Sequence, residues 1–236
     1  MNPVNTAIEL AVQRGMESQL QHWRRAVLTP GLRLGWKIGF NDRASQQRVG
    51  LAEPIVGFLR HDRLLPSASN FVVPTGAIIK VEVEIALRLG RDLGAGASVD
   101  EAETAIAALA TAVEVVNVAQ PLDGVEALLA GNLYHAAVVI GPEQASVPAQ
   151  PRDALHGHLQ LNGSKVRDSE SLRLPERFGD LVRVTAETLA RHGEHLSVGD
   201  WIICGSIVEP QLVVPGDHIR AEIASLGAVT LAFSAS

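Results

Sequence analysis

Glu82 and Glu84 stand two residues apart in the run Ile79-Lys80-Val81-Glu82-Val83-Glu84-Ile85-Ala86-Leu87, and a third carboxylate, Glu114, sits in Ala112-Val113-Glu114-Val115-Val116. Alternate side chains of an extended chain share a face. Lys80, Glu82 and Glu84 would therefore line one side, with Val81, Val83, Ile85 and Leu87 on the other. A surface strand with one solvated face would show the same alternation. Two carboxylates on one face repel, however, and a cation between them removes that repulsion. If Glu114 comes from a neighbouring strand, the three form an all-oxygen ligand set suited to Mg²⁺ or Mn²⁺.

Other chemically active side chains have plainer readings. Lys80 shares the glutamate face and reads as their electrostatic partner. His156 and His158 alternate beside Gln160 and read as a solvated face rather than a metal-binding pair. His135 follows Asn132-Leu133-Tyr134 and reads as a capping or hydrogen-bonding histidine, with a proton shuttle as the alternative. The single cysteine, Cys204, lies in an apolar run and reads as a packed strand thiol. One cysteine also excludes an internal disulfide framework or a cysteine-rich zinc site. Gly90, Gly94 and Gly96 lack the spacing of a phosphate-binding loop. Cys204 and Val208 stand where a nucleophile elbow would need glycines around Ser206, so serine hydrolase chemistry is not expected.

These residues need strands to carry them, and the chain supplies many. Ile8, Leu10, Ala11, Met16, Leu20 and Trp23 form an apolar stripe that predicts a helix over 6–27, ended by Pro30-Gly31. Extended chain is predicted over Leu32–Phe40, then a short helix before Gly50, then a turn at Glu53-Pro54 and extended chain to Leu59. Asn70–Val73 and Ile78–Leu89 read as strands. Ser98 with Glu101 matches a capping box, and the alanines beyond it predict a helix over 98–112, giving way to a strand at Val113–Val118. Gly124–Gly131 is a short helical candidate, followed by the apolar run Ala136–Ile140. Ala145–Pro151 is a proline-bearing connection and a candidate subdomain seam. Asn162-Gly163 centres a hairpin over His156–Val166, and Leu181–His192 reads as a helix. Short strands divided by Gly199-Asp200, Pro215-Gly216-Asp217 and Leu226-Gly227 complete the chain. The pattern is α+β, β-rich with few helices: an N-terminal helical segment over 1–30 and one catalytic domain over 31–236.

Composition narrows the function classes. Twenty Lys and Arg against 26 Asp and Glu give a net charge of −6, and the basic spots Arg24-Arg25 and Arg60 with Arg63 are short, so no nucleic-acid partner is expected. With 47% apolar and 19% charged residues the chain is globular rather than disordered. No apolar run is long enough for a membrane helix, and the first twenty residues lack a continuous apolar core, which leads to the expectation of a cytoplasmic protein.

Several ordered motifs go further. Gly35-Trp36-Lys37-Ile38-Gly39-Phe40, Glu53-Pro54 with Gly57-Phe58-Leu59, Glu82-x-Glu84-Ile85-Ala86 and Val113-Glu114-Val115-Val116 occur in this order, followed by Gly199-Asp200, Gly205-Ser206 and Pro215-Gly216-Asp217 through Leu226-Gly227. Over roughly residues 30–233 the chain resembles the 2-keto-4-pentenoate hydratase group of the fumarylacetoacetate hydrolase superfamily. The resemblance implies a β-rich mixed fold of the fumarylacetoacetase C-terminal type, with a divalent metal held by Glu82, Glu84 and Glu114. It places Lys37 at the substrate, as carboxylate anchor or proton shuttle, and Ser206 beside the substrate pocket. It implies 2-oxo acids or their enols as substrates. The chain departs from the group where Gly131-Asn132 replaces Asp-Asn, where Asn117 replaces Asp, and where Leu172–Leu189 replaces a Gly-x-Pro and Trp-Leu-Ala-Asn stretch; the group's N-terminal tyrosine-glutamine motif is absent.

The leading expectation is a metal-dependent hydratase that adds water to a 2-hydroxy-2,4-dienoate, giving a 4-hydroxy-2-oxo acid in aromatic-compound catabolism. A decarboxylase of the 4-oxalocrotonate type would use the same site and would need a cation for a second carboxylate, such as Arg43, Arg48 or Arg60. An acylpyruvate C–C hydrolase ranks lower, since no histidine–carboxylate pair is assignable from the sequence. A non-catalytic 2-oxo acid binder completes the set. Short strands leave sheet edges that a second subunit would cover, so a homo-oligomer is expected.

Overall fold

The branched residues of the Glu82 segment set the centre of the molecule. Val81, Val83, Ile85 and Leu87 are all fully buried on one face, and Glu84 and Ala86 are buried on the other, so this strand is covered on both sides. The computed structural model describes residues 3–145, 155–169 and 174–236. In chain order the strands are β1 (Arg33–Gly39), β2 (Ile55–Arg60), β3 (Leu64–Leu65), β4 (Ser69–Val73), β5 (Ile79–Leu89), β6 (Ile106–Asn117) and β7 (His135–Ile140). Then come β8 (Gln144–Ala145), β9 (Gly157–Leu161), β10 (Ser164–Asp168), β11 (Trp201–Ile203), β12 (Gln211–Val213), β13 (His218–Ile223) and β14 (Gly227–Ala235). The helices are α1 (Pro3–Val27), α2 (Arg43–Val49), α3 (Val99–Thr104), α4 (Gly124–Ala130) and α5 (Phe178–Ala190). Of the connection Ala145–Pro151, only Ala145 lies within the described residues.

Two sheets form from these strands. The larger runs β2-β1-β11-β5-β6-β7-β3, with β12 also on β5 and β8 on β6; the smaller runs β10-β9-β13-β14-β4. The main core holds the Val81 face of β5 together with Trp36, Val113, Ile219, Val229 and Phe233. A second, smaller core of Leu34, Leu59, Ala86, Ala110, Ala112, Val138 and Ile203 fills the opposite face, and it is this face that carries the glutamates. The architecture is mixed α+β and strand-rich, as expected.

One expected element is corrected. The capping box is present: the Ser98 hydroxyl accepts from the Glu101 N–H at 3.2 Å, and the Glu101 carboxylate accepts from the Ser98 N–H at 2.8 Å. The helix nevertheless stops at Thr104, and from Ile106 the alanine-rich segment is β6, paired antiparallel with β5 from Leu89↔Ile106 to Ile79↔Asn117. Burial between β5 and β7 overrides the helical preference of Ala108, Ala110 and Ala112. Their small side chains also suit the tightly closed second core.

Helix α1 closes the main core through Met16, Leu20 and Trp23, with the Trp23 ring 4.7 Å from that of Trp36. The Arg33 guanidinium lies 5.5 Å from the Trp23 ring centre and donates twice, at 2.7 Å, to Asp200. Asp200, buried, also accepts from the Trp36 indole N–H at 3.1 Å and from the Ser197 N–H at 2.9 Å. The Gly-Asp step before β11 is thus a fastening between β1 and β11. Asp200→Asn would leave the Arg33 charge without its bidentate partner at a half-buried position. A loss of about 2–4 kcal/mol is expected, a fall in Tm of roughly 4–16 °C at this chain length. Thermal unfolding followed by circular dichroism checks it; an unchanged Tm would show that solvent compensates Arg33.

Candidate metal centre

The β5–β6 register sets Glu82 directly opposite Glu114, and Glu84 follows two residues along β5 on the same face. One carboxylate oxygen from each lies within 4.8 Å of the others. Glu84 and Glu114 are each 1% exposed, while Glu82 is only partly buried and forms the lip of the cluster. The solvated-face alternative is therefore excluded for this strand. Glu84 Oε2 accepts the Gly205 N–H at 2.6 Å. Glu114 Oε1 accepts from Lys37 Nζ and from His135 Nδ1, the latter at 2.6 Å. Its second oxygen, Oε2, is buried with no hydrogen-bond partner among the described residues.

Lys37 reaches this position beside Gly57, and two further glycines on its strand let neighbouring segments pack close to it. Gly57 faces Lys37 across β1 and β2, and a Cβ there would lie 2.8 Å from both Lys37 Cγ and the Asn132 side-chain oxygen. A Cβ at Gly39 would meet the Leu133 side chain at 2.5 Å. At Gly35, whose φ is +146°, it would overlap the Trp201 carbonyl oxygen. Glycines permit close approach of other atoms, and at these positions protein atoms pack close, those of Lys37 at Gly57.

The partner of this packing is a strained turn. Asn132, Leu133 and Tyr134 are three consecutive non-glycine residues with φ of 51°, 53° and 63°. Left-handed backbone of this kind costs about 1–2 kcal/mol per residue. The turn is held by Asn132, which accepts from the Phe58 N–H at 2.8 Å and donates to the Phe58 carbonyl at 3.0 Å. The Tyr134 hydroxyl accepts from the Leu122 N–H at 3.0 Å. As a result the Leu133 carbonyl accepts from Lys37 Nζ at 3.2 Å, and His135 falls onto Glu114. Strain of this size persists where the surroundings overdetermine it, commonly at functional sites.

The charges do not balance within the protein. Burial and the charge of Glu114 push the Glu82 carboxyl up to about 7, against the pull of Lys37 and Lys80. Burial, Glu114 and Glu82 push Glu84 well up. Burial also pushes Glu114 up, but Lys37 and His135 outweigh it and hold this carboxyl below its ordinary value. Three clustered carboxylates, a bare buried oxygen and a deficit of positive charge are the donor set of a hard divalent cation, and the residues present fit such an ion.

The remaining candidates take more ordinary places. Lys80 is half-buried and favours ionised Glu82, the electrostatic role read from the sequence. Ser206 does not touch the carboxylates: its hydroxyl donates to the Val208 carbonyl at 2.6 Å, and it is the preceding Gly205 that holds Glu84. Cys204 is fully buried, its thiol pushed well up by burial and by Glu84, as suits a packed side chain. His158 is half-exposed, 3.8 Å from Glu222, and His156 is exposed, in line with a solvated pair. The histidine–carboxylate pair that the sequence did not yield exists as His135 with Glu114. Its signal was the position of His135 at the head of the apolar run of β7, which pairs with β6.

Residues 35–233 match the fumarylacetoacetate hydrolase C-terminal family, and the chain belongs to that family. It is 26% identical over 211 residues to a 4-oxalocrotonate decarboxylase of Pseudomonas putida, covering 85% of this chain and 77% of the relative. It is 27% identical over 244 residues to the TodF product hydratase of Pseudomonas putida, covering 98% and 88%. Among solved structures, a Pseudomonas putida 4-oxalocrotonate decarboxylase complexed with magnesium and adipate superposes with a TM-score of 0.82 at 25% identity, over 91% of this chain and 83% of that one.

At pH 8, above the value of about 7 that Glu82 is given by its surroundings, Glu82 is ionised in the metal-free cluster and repels Glu114. Glu82→Gln removes one of the repelling charges. In excess EDTA the variant should be more stable by about 2 kcal/mol, or roughly 4–8 °C in Tm. A variant that melts lower than the parent would show that Glu82 is stabilising without a cation.

Proposed function

We propose that this chain is a divalent-metal-dependent hydro-lyase that adds water to a 2-hydroxy-2,4-dienoate, giving a 4-hydroxy-2-oxo acid. The observation that carries this reading is the buried Lys37 in contact with one member of a three-carboxylate cluster whose other groups lack enough positive charge. In this reading Glu82, Glu84 and Glu114 hold Mg²⁺ or Mn²⁺. The ion would supply Lewis acidity that favours the enolate of a 2-oxo acid.

The chain's own residues do the rest. Lys37, fixed by Gly57 and by the Leu133 carbonyl, takes the carboxylate or 2-oxygen of the substrate and relays the proton between oxygen and carbon as the enol ketonises. A group so placed contributes about 10²–10⁴-fold. Ketonisation with the proton delivered to C5 leaves C3=C4 conjugated to the 2-oxo group, so C4 is electrophilic; the oxygen of water adds there and C3 takes a proton in its turn. The Gly205 N–H keeps Glu84 turned into the cluster, and Ser206 is the polar side chain next along the chain toward substrate. Hydration is supported by similarity over 98% of this chain to the TodF product hydratase. It is also favoured by the engagement of Arg60 with Asp62, which removes one candidate for a second substrate carboxylate.

A second reading, decarboxylation of a 2-oxo dicarboxylic acid, rests on Arg43 and Arg48. They form no salt bridge among the described residues and line a cavity of about 970 Å³ together with Asn41, whose side chain donates at 2.5 Å to the Cys204 carbonyl beside Gly205. The 4-oxalocrotonate decarboxylase relatives make this the nearest competitor.

Thermal unfolding with Mg²⁺ or Mn²⁺, each with and without oxalate as a mimic of the chelating enolate, tests the site. A rise of several degrees that requires both metal and oxalate is expected, and Glu114→Gln should abolish it. Product analysis by NMR should then show a 4-hydroxy-2-oxo acid from 2-hydroxypenta-2,4-dienoate, with Lys37→Ala at least about 10²-fold slower. Carbon dioxide release from 4-oxalocrotonate without hydration would transfer the assignment to the second reading. No response to metal and oxalate by the folded protein would refute both.

A further inference from the structure

Glu114 differs from the other two carboxylates in how its oxygens are used. Oε1 takes both donors, Lys37 Nζ and His135 Nδ1, whereas Oε2 has none. The His135 side chain is 4% exposed and that of Glu114 1%. A carboxylate can only accept, so Nδ1 carries the proton and Nε2 is left as a bare acceptor, also buried and unpartnered among the described residues. Groups that hold a ligand from behind decide which of its atoms faces an ion and how basic that atom is.

We propose that His135 is a positioning residue: its Nδ1–H pins Glu114 by Oε1 so that Oε2 is the oxygen presented to the divalent ion. The proposal rests on the reading that Glu82, Glu84 and Glu114 form the ion site. Lys37 alone does not define the orientation, because even on a packed stem the ammonium is a point charge with rotatable donors that either oxygen could satisfy. The imidazole is rigid, and the left-handed turn over Asn132–Tyr134, clamped by Asn132 to Phe58, delivers it from a fixed backbone. This gives the strained turn a purpose at its C-terminal end as well as at the Leu133 carbonyl. The sequence order Asn-Leu-Tyr-His is therefore one device, in which the first residue clamps, the second contacts Lys37 and the fourth aims a ligand.

The test is Mn²⁺ affinity of the whole protein by isothermal titration calorimetry, with no substrate present. His135→Phe keeps the ring volume and removes the donor. His135→Asn places an amide N–H where Nδ1 stood. Metal affinity should fall about 10–100-fold in His135→Phe and stay within roughly threefold of the parent in His135→Asn. Melting of the metal-free proteins checks that each is folded, and His135→Ala replaces the phenylalanine variant if that one does not fold. Equal affinity in the parent and the donor-less variant would overturn the proposal. So would an equal loss in both His135→Phe and His135→Asn, since volume or shape rather than the hydrogen bond would then be responsible. If the parent itself binds no Mn²⁺, the three-carboxylate reading fails first and takes the proposal with it. If the parent binds and the variants match it, only the role of His135 falls.

Discussion

The arrangement of this molecule is governed by one electrostatic constraint: three carboxylates held together in a place where water cannot separate them. Sheet pairing sets the backbones of Glu82 and Glu114 opposite each other, and buried hydrogen bonds hold the side chains of Glu84 and Glu114 in the cluster. Like charges directly opposite one another destabilise a sheet, and burial strengthens that repulsion. Lys37 answers one charge and Lys80 part of another. The remaining imbalance is a standing preference for a small, hard cation, and the packing of β1, β2, β7 and the Asn132 turn can be understood as holding that preference in place.

Each neighbouring element contributes geometry rather than ligands. Strand β1 supplies Lys37, whose stem needs the space left by Gly57, while Gly35 and Gly39 let Trp201 and Leu133 pack close to the strand. The Asn132–Tyr134 turn costs backbone energy and repays it with a clamp on β2, a carbonyl for the lysine and an imidazole for Glu114. Farther out, the Arg33–Asp200–Trp36 cluster ties β1 to the chain entering β11, and β11 leads directly to Gly205. A disturbance at Asp200 thus reaches the ligand cluster through two strands.

The sequence disclosed the ligand strand more readily than its surroundings. The alternation of Val81, Val83, Ile85 and Leu87 was sufficient to place Glu82 and Glu84 on one face, because β-branched periodicity survives without tertiary information. Whether that face was solvated could not be read, since the covering residues Leu59, Val138 and Ile203 come from three distant segments. The alanines after Ser98 misled for the same reason: their intrinsic preference is helical, and only burial between β5 and β7 makes them strand. His135 was legible as a hydrogen-bonding residue but not as the partner of Glu114. That contact is set by a bulge in the β6–β7 register and by positive φ angles at Asn132, Leu133 and Tyr134, residues that do not advertise them. Gly57 was legible only as part of the extended chain leading to Leu59, and its role depends on a lysine in a different strand, Lys37.

A site of this kind also accounts for how one family supports several reactions. On the proposed reading, the carboxylate cluster and the buried lysine would stabilise the same anionic form of a 2-oxo acid in each of them, setting the substrate's head group and leaving the outcome open. The outcome depends on groups that reach beyond the head group: a cation for a second carboxylate, an acceptor for a proton from water, or a wall that excludes water altogether. In this chain the candidates are Arg43 and Arg48 on α2, beside the cavity they line, and His135, whose Nε2 is unpartnered among the described residues. They lie on a short helix and a strained turn rather than on the ladder that binds Glu82 to Glu114. Substitution of Arg43 or Arg48 leaves the buried charge and its packing untouched, which is the physical condition for the reaction to diverge while the fold and the ligand set stay the same.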